Sequence, residues 1–251
     1  MPAGAFELSA GSHADFSDRR NEYSSSPNIK IKILILIGAL ALPIYRIKNN
    51  LILFSHIPKT GGTSVHIELS KKGKRSLFSE HQCSIFRIPP QHFDTDTLKY
   101  LFEIDIFDYS FAITREPISR LVSEFFYRNP LGEPKNIWHK AIYSLKGKRK
   151  QGRILRNFSG WIAYYFEKYK INDKILDNHI KPQSEFVIKD EMCFFRIEDG
   201  LKNLEKDLYC YCGNIKFKRY NQSSKIPFTI DRETKNKIIE FYYKDYELFK
   251  Y

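Results

Sequence analysis

The stretch from residue 51 to residue 71 constrains this chain more than any other. Leu51-Ile52-Leu53-Phe54 is a short, unbroken apolar run, the pattern of a strand buried on both faces of a parallel sheet. His56-Ile57-Pro58-Lys59-Thr60-Gly61-Gly62-Thr63-Ser64 follows directly. Val65, Ile67 and Leu69 then supply the apolar side of a helix running from Thr63 to about Lys71, with Gly73 as its stop.

The same succession returns later. Tyr109-Ser110-Phe111-Ala112-Ile113-Thr114 reads as a second buried strand. Pro117 stands where the first turn of a helix tolerates proline, and Ile118, Leu121, Val122, Phe125 and Phe126 keep helical spacing behind it. Strand, turn and helix twice over is an α/β signature. The expected architecture is a three-layer, P-loop-like fold with a central parallel sheet flanked by helices. Residues 153–169 read as an aromatic helix and 192–197 as another strand. Residues 231–241 read as a last helix, with Asp231 as N-cap and Glu233 in its positively polarised first turn.

Residues 1–29, rich in Ser, Gly, Ala, Asp and Asn, read as a disordered tail. Residues 30–48 form a short apolar segment. Its apolar run, 33–45, has Lys30 and Lys32 before it, Arg46 and Lys48 after it, and Pro43 near its end. A membrane helix needs ~20 apolar residues. The run is therefore read as a buried element ahead of a weak anchor, and membrane association stays open. A signal-like segment is disfavoured because no A-x-A-like cleavage site follows. Residues 49–251 form the one large domain.

Gly61 and Gly62 let the backbone turn tightly and present N–H groups to an anion. The helix start adds its partial positive charge, Lys59 a full one, and Thr60, Thr63 and Ser64 hydroxyl donors. This is a phosphate cradle. It is not a Walker A loop, because the lysine precedes the glycines instead of following them. A second anion motif is Arg115-Glu116-Pro117-Ile118-Ser119-Arg120-Leu121-Val122-Ser123. Arg115 lies at the carboxyl end of the second strand, where open α/β sheets place their ligands. Its planar fork suits a phosphate.

Together the two motifs resemble sulfotransferase family 2, which includes heparan sulfate 2-O-sulfotransferases and the chondroitin and dermatan enzymes. The resemblance runs from about Leu51 to Tyr251 and includes the blocks Asn178-His179-Ile180-Lys181-Pro182-Gln183 and Tyr243-Lys244-Asp245-Tyr246-Glu247-Leu248-Phe249-Lys250-Tyr251. It implies that 3′-phosphoadenosine 5′-phosphosulfate is the sulfate donor. Pro58, Lys59, Thr60, Gly61, Gly62, Thr63 and Ser64 would hold its 5′ end, and Arg115 and Ser123 its 3′-phosphate. The implied acceptor is a hydroxyl on an oligo- or polysaccharide. No metal is required, because the leaving group is already a stable anion. The compartment implied is the cytoplasm in a bacterium, and the Golgi membrane, as a type II protein, in a eukaryote.

Sulfuryl transfer needs a group to take the acceptor's proton and a group to stabilise charge on the leaving phosphate. Lys59 suits the second need. For the first, His92 lies between the two phosphate motifs, at a position resembling the family's catalytic histidine, and imidazole accepts protons near neutral pH. His81 is the rival base, and Glu80 or Glu103 could serve as base or orienter. His179 contacts acceptor or packs before Pro182, His56 orients the loop, and His66 and His139 are structural.

The formal charge of +12 favours anionic partners. Two basic runs, 71–75 and 146–150, read as solvated faces or as a rim for an anionic glycan. Two other classes compete: a P-loop-type nucleotide kinase, and a basic protein that binds nucleic acid or another polyanion without turnover. The first lacks a Walker lysine. The second lacks any helix-turn-helix, RNP-like or zinc-finger pattern, so no nucleic-acid partner is expected. Cys83, Cys193, Cys210 and Cys212 make no zinc pattern and read as reduced thiols.

Overall fold

A computed structural model describes residues 44–76, 82–83, 85–129, 157–188, 190–218 and 229–251. The residues of the expected tail and most of the apolar run, together with Glu80, His81, His139 and the basic run 146–150, lie outside them.

Five strands form one sheet: β1 (Ile44–Ile47), β2 (Asn50–Ser55), β3 (Lys74–Ser76), β4 (Tyr109–Thr114) and β5 (Cys193–Arg196), in the order β3-β1-β2-β4-β5. β2, β4 and β5 run parallel, while β1 pairs antiparallel with both β2 and β3. The parallel half is the sheet read from the apolar runs. The antiparallel half was not legible, because β1 is the tail end of the run at 33–45 and β3 is a three-residue basic edge. Lys48, at φ 54°, turns the chain from β1 straight back into β2. Among the described residues the sheet thus includes Ile44–Ile47, within the segment read as 30–48.

The helices are α1 (Gly62–Ser70), α2 (Thr95–Leu101), α3 (Pro117–Arg128), α4 (Phe158–Ile171), α5 (Lys202–Asp207), α6 (Tyr209–Cys212), α7 (Arg232–Phe241) and α8 (Tyr243–Phe249). They and the loops cover the sheet in two layers. Ile44, Leu53 and Ala112 pack with Phe93, Leu98 and Phe186. Tyr45, Ile52, Phe54, Phe111 and Ile113 pack on the other side with Val65 and Leu69 of α1 and Leu204 and Leu208. Alternate residues of each strand therefore face opposite layers, the period of two that a doubly covered sheet requires. A third cluster joins Leu121 and Phe125 of α3 to Trp161 and Ile162 of α4 and Ile238 and Tyr242 at the end of α7.

Local signals hold as read. Asp231 accepts from the Thr234 amide at 2.8 Å, capping α7. Gly73 does more than end α1: a side chain there would meet the Arg46 carbonyl at 2.2 Å, so a glycine lets the chain pass close to β1 on its way into β3. All four cysteines are free thiols. No helix of the described residues is long and apolar enough to cross a membrane.

Candidate functional site

The carboxyl ends of β2 and β4 lie side by side, with Ser55 opposite Ala112. Each strand delivers one anion motif to the same edge. After β2, Lys59 takes φ 69° and Gly61 φ 88°, both left-handed, and α1 starts at Gly62 without a side-chain cap. The first amides of α1 are therefore not taken by a capping side chain and face the turn. Thr60 is buried, and its hydroxyl donates to the Ile57 carbonyl at 2.9 Å. That bond builds the loop and leaves the Thr60 amide as the group it can turn to an anion. Gly62 is required for space: a Cβ would fall 2.3 Å from Nε2 of His56, whose ring stacks on Phe54 at 5.3 Å. His56 thus supports the loop from beneath, the orienting role expected of it.

The second motif begins differently. Glu116 caps α3 with its own carboxylate, accepting from the amides of Ile118 and Ser119 at 3.0 and 2.7 Å. The helix start is already occupied by a negative charge, so an anion here is left to the side chains. Nη1 of Arg115 donates to the Lys59 carbonyl at 3.3 Å, which joins the two motifs directly. Ser123 is half-buried, six residues into α3 and ~9 Å along its axis. It shares a helix face with Tyr127, four residues on. The Lys59 ammonium lies 3.9 Å from the centre of the Tyr127 ring, so this face turns toward the loop.

Arg115 is held by a residue that no local pattern marks. Gln183, fully buried, accepts from the Arg115 amide at 2.9 Å and donates to the Arg115 carbonyl at 2.8 Å. Its side-chain amide stands in for one more strand beside the end of β4. Asp245 of α8 fixes Gln183 in turn, accepting from the amides of Gln183 and Ser184 at 2.8 and 2.9 Å.

His92 is buried at the end of a 3-10 turn, Pro90–His92. Its ring meets His56 edge-on at 5.4 Å and His179 at 4.7 Å. Burial, then His179 and His56, push its pKa well below the ordinary imidazole value, against the backbone of Asp177. Burial, with His66 and His179, pushes His56 down to about 3. Both rings are therefore neutral at physiological pH. His179 donates from Nδ1 to the Glu124 carboxylate at 2.7 Å and stacks on Tyr127 at 6.3 Å. The contacts close a ring around the loop: Lys59, Tyr127, His179, His92, His56, Gly62.

Leu176, Asp177 and Asn178 are left-handed in succession, with φ of 55°, 57° and 66°. Such residues cost about 1–2 kcal/mol each, and neighbours hold them. Asn178 donates to the His92 carbonyl at 2.9 Å, Arg128 to the Leu176 carbonyl at 3.3 Å, and Gln82 to Asp177 at 2.5 Å. This turn delivers His179 to His92.

Burial, first, and the charges of Arg115 and Arg128 draw the Lys59 ammonium below its ordinary pKa, against Glu124. Glu103, offered as a base or orienter, is exposed at the start of the 104–106 turn. The cluster brings in Glu124, Tyr127 and Arg128, which sequence reading passed over. The only local signal for them was the Glu–Arg spacing of four on a helix, which usually marks a surface pair. A cleft of about 340 Å³ opens at Thr114, the last residue of β4, lined also by Phe194, Arg196, Asp199, Asn203 and Phe249. Among the described residues, no three His, Cys, Asp or Glu side chains are grouped to hold a metal ion.

No curated protein and no solved structure matches the chain. The model of the sulfotransferase family does, over residues 44–251, which is all but the first 43 residues and takes in β1. With the match spanning every described element, the chain belongs to the sulfotransferase family, whose chemistry is sulfuryl transfer.

Proposed function

We propose that the chain moves the sulfuryl group of 3′-phosphoadenosine 5′-phosphosulfate to a hydroxyl of a carbohydrate. The observation that carries this reading is the hydrogen bond from Arg115 to the Lys59 carbonyl, which sets two anion-binding motifs side by side at one sheet edge. A donor with phosphate groups at both ends of one nucleoside needs such a pair. The uncapped start of α1, Lys59 and Thr63 take the 5′ end. Arg115 and Ser123 take the 3′-phosphate, because Glu116 closes the start of α3 to it. The cleft beside Thr114 is the space left for the nucleoside.

In the transfer, the acceptor oxygen bonds to sulfur as the bond from sulfur to the donor phosphate breaks. Lys59 meets the charge that grows on that phosphate. His92 takes the acceptor's proton: it is neutral and stands against His56 beneath the loop. The formal charge of +12 suits an anionic glycan as the acceptor.

Calorimetric titration with adenosine 3′,5′-bisphosphate, without metal, tests the donor site. The full chain should bind it, and Lys59→Ala and Arg115→Ala should each weaken binding by about tenfold or more, ~1.4 kcal/mol. A folded wild type that ignores the bisphosphate but is stabilised by ATP with magnesium would replace this reading with a kinase.

A further inference from the structure

The side chain of Glu124 is completely buried, and both its oxygens are used. Oε1 accepts from Nε of Arg128, one turn along α3, and Oε2 from Nδ1 of His179 at 2.7 Å. The reaction proposed above assigns no role to Glu124 or to His179. A buried negative charge is out of place beside a cradle of Lys59 and Arg115 built to attract an anion, unless something in the site needs it. Burial alone would push this carboxyl up, but His179 and Arg128 together hold it below its ordinary value, so it is ionised.

The bond to Glu124 fixes His179 in one tautomer. With the proton on Nδ1 shared with the carboxylate, Nε2 keeps its lone pair. The groups around the ring are Glu124, Tyr127 and Arg128 on α3, His92 from the turn before α2, His56 and Lys59 from the loop, and Asp177 from its own turn. Of these, Glu124 is the one whose carboxylate bonds the imidazole. Among the described residues, Nδ1 of His92 and Nδ1 of His56 have no hydrogen-bond partner. A proton on either would be a new buried charge beside other imidazoles. A proton on His179 completes an ion pair already laid out.

We propose that His179, positioned by Glu124, is a second proton acceptor beside His92 and the imidazole on which the acceptor's proton comes to rest. This rests on the sulfuryl transfer proposed above. The oxygen–sulfur bond forms, the bond from sulfur to the donor phosphate breaks with its electron pair staying on the phosphate, and the acceptor's proton, taken by His92, passes to Nε2 of the adjoining His179 ring, which returns His92 to its neutral state. Glu124 touches no reacting atom; it acts through His179.

Histidine-selective NMR of the full chain, with ¹⁵N and ¹³C labels, tests this with and without adenosine 3′,5′-bisphosphate. His179→Gln assigns the resonance. In the wild type, His179 should be the Nδ1–H tautomer, with Nε2 unprotonated. Glu124→Gln should remove that preference and bring the Nε2–H tautomer into the spectrum. In the same variant, bisphosphate affinity should stay within about twofold, while turnover of the donor with an unsulfated glycosaminoglycan oligosaccharide falls about tenfold or more. A wild-type His179 in the Nε2–H tautomer, or a Glu124→Gln protein whose His179 tautomer and turnover are unmoved, overturns the proposal. A wild type that does not bind the bisphosphate overturns the donor reading instead, and the His179 tautomer of the unliganded chain still decides this one.

Discussion

Two residues show how closely the site is built. The space where a Cβ of Gly62 would stand holds the His56 ring at 2.2 to 2.3 Å. Gly62→Ala must therefore displace the loop or the ring. It should cost about 1–3 kcal/mol of stability and bisphosphate affinity with it, seen in thermal melts and titration. Gly200→Ala, with nothing within 4 Å of the new carbon, is the control and carries only the strain of its φ of 77°. Equal losses from the two would show that His56 yields freely. Lys181 is the second case. It is buried and donates to Asp94 at 2.6 Å and to the more exposed Asp173 at 2.7 Å. Lys181→Met leaves Asp94 buried without its cation and should cost about 3–5 kcal/mol in urea denaturation. A loss under about 1 kcal/mol would mean that water reaches Asp94. The sequence offered Lys181 only as part of a family block, because a lone lysine carries no sign of the two carboxylates that will enclose it.

At the scale of elements, the block from Asn178 to Gln183 is a brace. One end holds His92 through its carbonyl and the other completes the end of β4 around Arg115. Gln183→Leu removes both bonds to Arg115 and leaves a backbone amide and carbonyl without partners. It should destabilise by about 1–3 kcal/mol and weaken bisphosphate binding, although the substituted side chain would touch no ligand. Unchanged affinity with lowered stability would show that Arg115 keeps its place without the brace. The helices themselves were legible. α3 starts at Pro117 and α7 behind Asp231 as their local chemistry requires. The antiparallel β1 was not, since an apolar run read as a buried element does not say by its period whether that element is a strand or a helix.

For the whole molecule, the two neutral imidazoles predict how stability varies with pH. His56 and His92 sit well below the ordinary value in the fold, whereas in the unfolded chain they titrate near 6.5. Between those values the unfolded chain binds protons that the fold does not, so stability falls as pH falls below about 6.5. Each imidazole contributes a slope of up to about 1.4 kcal/mol per pH unit. Melts at pH 7.5, 6 and 5 should show the decline setting in before the carboxylates protonate. His56→Gln and His92→Gln should each flatten it. A flat profile from pH 7.5 to 5 would mean that the rings are solvated.

By itself the sequence determined what is local. Apolar runs specify strands buried on both faces, the glycines at 61 and 62 specify a tight turn with free amides, and the Arg115 motif supplies the second proposed anion site at a strand end. Each depends on residues a few places apart, where backbone sterics and side-chain period leave little choice. The meeting of those parts was decided by the tertiary structure alone. His179 and Glu124 are 55 residues apart and Gln183 and Arg115 are 68. Nothing in either stretch names the other, because their bonds form only once the helices have packed against the sheet and excluded water. The proposed donor cradle is thus written in the chain, while the carboxylate that bonds one of the three imidazoles is a property of the packed core.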